Sequence, residues 1–304
     1  MRRVLATLIL AALPLTLFAH GSFAGSATRD PAYTFDPNYT FDPNVAYTFD
    51  PSVGRVPPKA DPPHAQGRAQ GPGRGGPPPT ARASAPADLT GYWVSLVTDD
   101  WRYRMLTPPK GNVDYLPVTP EARRIAAEWD PAKDEAAGEQ CRGYGAVGVM
   151  RLPGRLHVTW DGDSVLKLET DAGTQTRFFR FGAATPPAGE PTWQGASRAA
   201  WVLPSGGRSL FGGGPQGPAT QGELRVTTTH MKAGYIRKNG VPYSANAVLT
   251  ENFVRLVDDD GTQYLAVTQT VEDAVYLAQP IIRTMLFKKQ ADASGWNPTP
   301  CSAR

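Results

Sequence analysis

The side chains able to move protons or hold a ligand are scattered along this chain, and strand parity singles out three of them. In Leu224-Arg-Val-Thr-Thr-Thr-His230, His230 falls on the face of Leu224, Val226 and Thr228, so it is expected to point inward. Glu251 shares a face with Leu249, Phe253 and Val257, and Arg283 shares one with Ile281, Met285 and Phe287. His157 lies opposite Leu156, Val158 and Trp160 and is expected to face outward. An inward His, Glu and Arg on three strands are candidate polar anchors for a ligand, or an acid–base pair built around His230. The plainer alternative is a structural Glu–Arg pair beside a hydrogen-bonded core His.

Other patterns carry less chemistry. Gly143-Tyr-Gly-Ala-Val-Gly148 and Gly71-Pro-Gly-Arg-Gly-Gly76 both fit the spacing of a dinucleotide loop. That loop must follow a strand and open a helix, and neither segment has this context. Asp258-Asp-Asp-Gly261 lacks the alternating ligand spacing and closing Glu of a calcium loop, so it reads as a hairpin turn. There is no His-Glu-x-x-His and no Gly-x-Ser-x-Gly. The two cysteines are too few for a Cys-only zinc cluster. No metal and no cofactor is implied.

The chain opens like a secretory signal. Arg2 and Arg3 precede an apolar run over 4–18, and Ser22-Phe-Ala24 supplies small residues for cleavage after Ala24. The run is shorter than the roughly 20 residues that span a bilayer, so no membrane span is expected once the signal is removed. The expected location is periplasmic or secreted. In an oxidising compartment two cysteines of one domain tend to pair, so a Cys141–Cys301 disulfide is expected to clip the C-terminal tail to the body.

Segment 25–87 holds 13 Pro and 7 Gly in 63 residues, with almost no Leu, Ile or Val. Such a stretch cannot bury enough apolar area to offset its conformational entropy, and a disordered arm is expected. It contains Tyr33-Thr-Phe-Asp-Pro-Asn38, Tyr39-Thr-Phe-Asp-Pro-Asn44 and Tyr47-Thr-Phe-Asp-Pro-Ser52, a repeat that reads as a spacer or as docking points for an envelope partner through residues 33–52. Residues 88–304 carry 23 basic and 23 acidic side chains and all seven Trp. A neutral domain has no electrostatic case for nucleic acid.

Elements must then place the candidates. Thr119-Pro-Glu121 is a helix start, so a helix is expected over 120–129, with Asp130-Pro131 opening a second. Strands are expected at 90–97, 101–106, 147–152, 155–160, 165–170, 174–181, 198–203, 223–231, 248–257, 263–271 and 281–288. Asp161-Gly162, Ala172-Gly173, Asn239-Gly240 and Asp260-Gly261 supply turn chemistry. The fold class is mainly β: an antiparallel up-and-down barrel or sandwich with one or two short helices. A glycine-rich insertion over 204–222, with Leu210 and Phe211, is a candidate lid.

Gly91-Tyr92-Trp93 on the first strand resembles the Gly-x-Trp of lipocalin-like (calycin) barrels. The resemblance implies that Arg283, on the last strand, packs over Trp93 and closes one end of the barrel. The C-terminal Cys tethered to the body is also similar to many lipocalins. Extra strands, an early helix and the lack of a Thr-Asp-Tyr motif depart from that pattern. The string 227–244 is similar to exported bacterial proteins of unknown function. The leading expectation is an exported barrel binding a small, largely apolar ligand, with His230, Glu251 and Arg283 lining its site. The alternatives are an isomerase or hydrolase using His230 and Glu251, and an envelope interaction module acting through the repeat arm.

Overall fold

The computed structural model describes residues 78–182, 189–203 and 222–304. The signal-like start, the repeat arm as far as residue 77, the second glycine motif, and Leu210 and Phe211 of the insertion lie outside the described residues. In chain order the elements are β1 (Gly91–Leu96), α1 (Trp101–Arg104), α2 (Pro120–Glu128), α3 (Pro131–Ala136), α4 (Ala146–Val149), β2 (Arg155–Asp161), β3 (Val165–Thr170) and β4 (Gln175–Phe181). There follow β5 (Ala196–Val202), β6 (Glu223–Thr229), β7 (Gly234–Arg237), β8 (Val241–Tyr243), β9 (Val248–Val257), β10 (Gln263–Glu272) and β11 (Ile281–Lys289).

Nine strands close a barrel in the order β1-β11-β10-β9-β6-β5-β4-β3-β2, and β7 and β8 form a separate hairpin. All barrel neighbours are antiparallel except β4 and β5, which run parallel. The exception follows from the count. A ring of alternating directions closes only with an even number of strands, so nine strands require a parallel pair.

Two segments expected as strands are helical, and their loss leaves the nine of the barrel. Residues 101–104 form α1 because Arg104 turns inward, donating to Ser95 Oγ at 2.8 Å and to the Arg151 carbonyl at 3.0 Å. Residues 146–149 form α4 in a place only a glycine-rich chain can enter: a Cβ on Gly148 would sit 2.6 Å from the Gly143 carbonyl oxygen. Tertiary contacts override the alternating pattern in both. The expected helix start at Thr119 is present, with its Oγ1 accepting from the Ala122 amide at 3.4 Å and Pro120 in the first turn. The Asp130 side chain caps α3 in the same way.

The cross-strand register stacks the interior in rows. Leu224, Phe253, Val267 and Met285 face one another in an apolar row. The next row is Val226, Glu251, Gln269 and Arg283, and the one beyond it is Thr228, Leu249, Val271 and Ile281. The first row belongs to a core with Trp93, Phe179 and Phe287. Leu249, Val271 and Ile281 of the third belong to a second core shared with α2, α4 and the β7–β8 hairpin. A polar row thus separates two apolar cores.

The opposite mouth of the barrel is covered by the segment before β1. Ala81 and Ala87 pack on the core, the Ala81 carbonyl accepts from Trp201 Nε1 at 2.8 Å, and the Arg82 amide donates to Asp163 at 3.1 Å. The expected boundary near Ala87 therefore falls inside packed chain. Pro and Gly content alone does not reveal that a few alanines can seat beside half-buried indoles.

Candidate functional site

Glu251 is fully buried, as parity requires, but its partner is Arg177 of β4, across the barrel. Arg177 donates to Glu251 Oε1 at 3.0 Å and Oε2 at 2.5 Å, and to Thr228 Oγ1 at 3.2 Å. Gln269 Nε2 donates to Glu251 Oε1 at 2.9 Å, and Ser197 and Thr228 exchange a hydroxyl bond of 2.8 Å. Both carboxylate oxygens are taken by donors fixed in the wall. This carboxylate pairs with Arg177 and Gln269.

The structure does not bring His230 to it. Strand β6 ends at Thr229, and His230 has φ 56°, so the alternation that carries Leu224, Val226 and Thr228 inward stops one residue too soon. The imidazole is exposed and its Nε2 meets the Gly189 carbonyl at 2.7 Å. The inward placement expected for His230 is corrected, and with it the His230–Glu251 pair. His157 lies on the outer wall, stacked on Tyr92 with ring centroids 4.1 Å apart and 3.1 Å from Glu169 Oε2.

Arg283 does face the barrel end, in the row of Glu251 and Gln269, but it is not the cation over Trp93. Lys289 sits directly opposite Trp93 in the β1–β11 register, with its Nζ 4.4 Å from the ring centroid. Gly91 has φ 99°, and a Cβ there would lie 2.8 Å from that Nζ. Arg283 is six residues away along β11, 3.3 Å from Asp100 and donating to the Tyr115 carbonyl at 3.0 Å. The resemblance misassigned the lysine's place because the register was unknown.

Trp93, Phe179, Phe253 and Phe287, each at most 2% exposed, pack in the barrel's apolar core, and a cleft of about 290 Å³ opens at its mouth between Leu89, Trp160, Leu166 and Trp201. The gap beneath Arg283, between Leu116, Val147 and Gln269, measures about 10 Å³, about enough for one water.

A second cleft lies outside the barrel, between α1, α4 and the β7–β8 hairpin. It measures about 260 Å³, and four cationic side chains line it: Arg104, Arg151, Arg237 and Lys238. No carboxylate is among its lining residues. Asp99 and Asp100 stand behind the arginines, bonding Arg104 and Arg151 at 3.1 Å each. Lys238 donates to Tyr144 Oη at 3.0 Å and to the Arg304 carbonyl. Arg237 is the exception. It is 4% exposed, stacks on the Tyr103 ring at 4.4 Å, and spends only Nη2, on the Asp114 carbonyl at 2.8 Å. Its Nε and Nη1 are buried without a hydrogen-bond partner among the described residues.

Electrostatics agree with this geometry. Burial first, then the neighbouring Arg151, push the Arg237 guanidinium down to about 10. Burial also lowers Arg104 and Arg151. A cation stripped of water beside like charge is stabilised by an anion. Among the described residues no three His, Cys, Asp or Glu side chains gather as metal ligands.

The C-terminal tail completes one wall. The Cys141–Cys301 disulfide is formed, with Cα atoms 5.1 Å apart. It holds Thr299, which lines the cleft, where its amide donates to Asp171 at 2.9 Å. None of the cleft's cations is legible as a site in the sequence. Arg104 sits in an alternating Trp-Arg-Tyr-Arg, and Arg237-Lys238 precedes an Asn-Gly turn, where basic residues ordinarily face water. No known protein family, no curated protein and no solved structure matches this chain.

Proposed function

We propose that this chain is an exported barrel protein that binds a small anionic molecule in the arginine cleft. One observation carries the reading: Arg237, nine-tenths buried beside Arg151, holds two guanidinium nitrogens that no group among the described residues satisfies. Carboxylates and phosphates match that fork with paired, charge-assisted bonds. The signal-like start and the presence of a disulfide support export. The lipocalin-like reading enters only as a barrel end closed by Trp93 and a cation. The isomerase or hydrolase alternative loses its residue pair, and the repeat arm of the envelope alternative lies outside the described residues.

The test is calorimetry and thermal shift with acetate, citrate, sulfate and inorganic phosphate. At least one of these anions is expected to bind and to raise the melting temperature. Arg237→Met is expected to weaken binding about ten- to a hundredfold, the value of a charge-assisted bond. It is also expected to leave the ligand-free protein no less stable, because an unpaired buried charge disappears with it. Equal anion affinity in wild type and variant defeats the reading.

A further inference from the structure

We propose that the ligand is an amphipathic anion, a carboxylate or phosphate head carrying a hydrocarbon chain; this rests on the anion reading above. The argument begins with α1, whose polarity is inverted. Its buried residue is Arg104, while Trp101 at its start is 63% exposed. Met105, four residues on and on the same face, is 56% exposed, and Leu106 is 66% exposed. A short helix ordinarily hides its apolar side chains and shows its arginine to water. Here the arginine goes to the cleft wall, and the apolar groups stand outside.

These apolar groups adjoin the cations. Met105 and Leu106 line the same cleft as Arg151 and Arg237. Tyr103 carries the Arg237 guanidinium on its face and meets the edge of Tyr115, itself 78% exposed, at 6.0 Å. A continuous surface therefore runs from the unpartnered guanidinium nitrogens over Tyr103 to an exposed apolar shelf. Four of the ten large apolar side chains left exposed in the described structure lie between residues 101 and 115. Two of the four, Met105 and Leu106, line the cleft itself, which sets this shelf apart from scattered surface apolars.

Size separates the roles. Sites that enclose whole ligands run to roughly 300–1,000 Å³. The cleft, at about 260 Å³, takes a charged head and a few carbons, and a longer chain must lie along Met105 and Leu106. The apolar ligand expected from the sequence thus returns outside the barrel, with a charge at one end.

The experiment is calorimetry of the full chain with acetate, butanoate, hexanoate, octanoate and inorganic phosphate, all as monomers in solution. Affinity is expected to rise about two- to fourfold per methylene as each leaves water. The chain-length dependence is expected to flatten in Leu106→Ser and Met105→Ser, exposed positions whose substitution leaves folding intact. Acetate or phosphate binding with no gain along the series overturns the amphipathic ligand and leaves the anion site standing. No binding of any anion overturns both. Adsorption to phosphatidylglycerol vesicles without binding of the monomeric carboxylates overturns it too, since the shelf is then a bilayer contact.

Discussion

Glu251 and Arg177 are each fully buried and satisfied mainly by one another, so removing either strands a charge in the barrel. Glu251→Gln is expected to destabilise the fold by about 3–5 kcal/mol, the usual result of breaking a buried pair. The double replacement Arg177→Met, Glu251→Leu is expected to recover most of that loss. Urea unfolding of the three variants checks it, and a double mutant no better than Glu251→Gln contradicts it. Parity was sufficient to place Glu251 inside, since β9 continues unbroken past it. It was insufficient for His230, because the left-handed turn at that residue depends on where β6 stops. The partner Arg177 was invisible to local reading, since β4 reaches Glu251 only across the closed barrel.

Among the elements, the seam between β1 and β11 combines a glycine, a tryptophan and a lysine. Lys289 donates to the Thr90 carbonyl and lies over Trp93, and burial holds its ammonium below the usual lysine range. With a lowered folded value, the unfolded chain binds more protons in the window just below the ordinary lysine pKa. Stability from this group therefore rises as pH climbs through that window. The difference in urea midpoint between wild type and Lys289→Met is expected to grow in favour of wild type between about pH 8 and about pH 10. A constant or shrinking difference contradicts the assignment. Nine barrel strands and two capped helices were legible because alternation, turn glycines and the Thr119 and Asp130 caps are local signals. The helical state of 101–104 and 146–149 was not, since one needs Arg104 to find Ser95 and Arg151, and the other needs close backbone approach at Gly148.

At the scale of the molecule, the disulfide joins residues 160 apart in sequence and fixes the tail that walls the cleft. Cys141→Ser with Cys301→Ser is expected to lower stability by at most ~4–5 kcal/mol in the chain-entropy model. Loss of the Thr299 wall is expected to weaken anion binding as well. Denaturant unfolding and calorimetry of the double variant check both, and unchanged affinity would show that the tail plays no part in the site. By itself the sequence determined the mainly β class, the neutral Trp-rich domain after a Pro- and Gly-rich segment, the disulfide and most strand positions. These depend on composition and on periods of two residues, which are local properties of the chain. Only the tertiary structure decided that the strands close as a barrel with a parallel pair, that Arg177 meets Glu251 inside it, and that Arg104, Arg151, Arg237 and Lys238 share a cleft. Those outcomes depend on register and ring closure, which bring together residues more than a hundred positions apart. No local pattern records them.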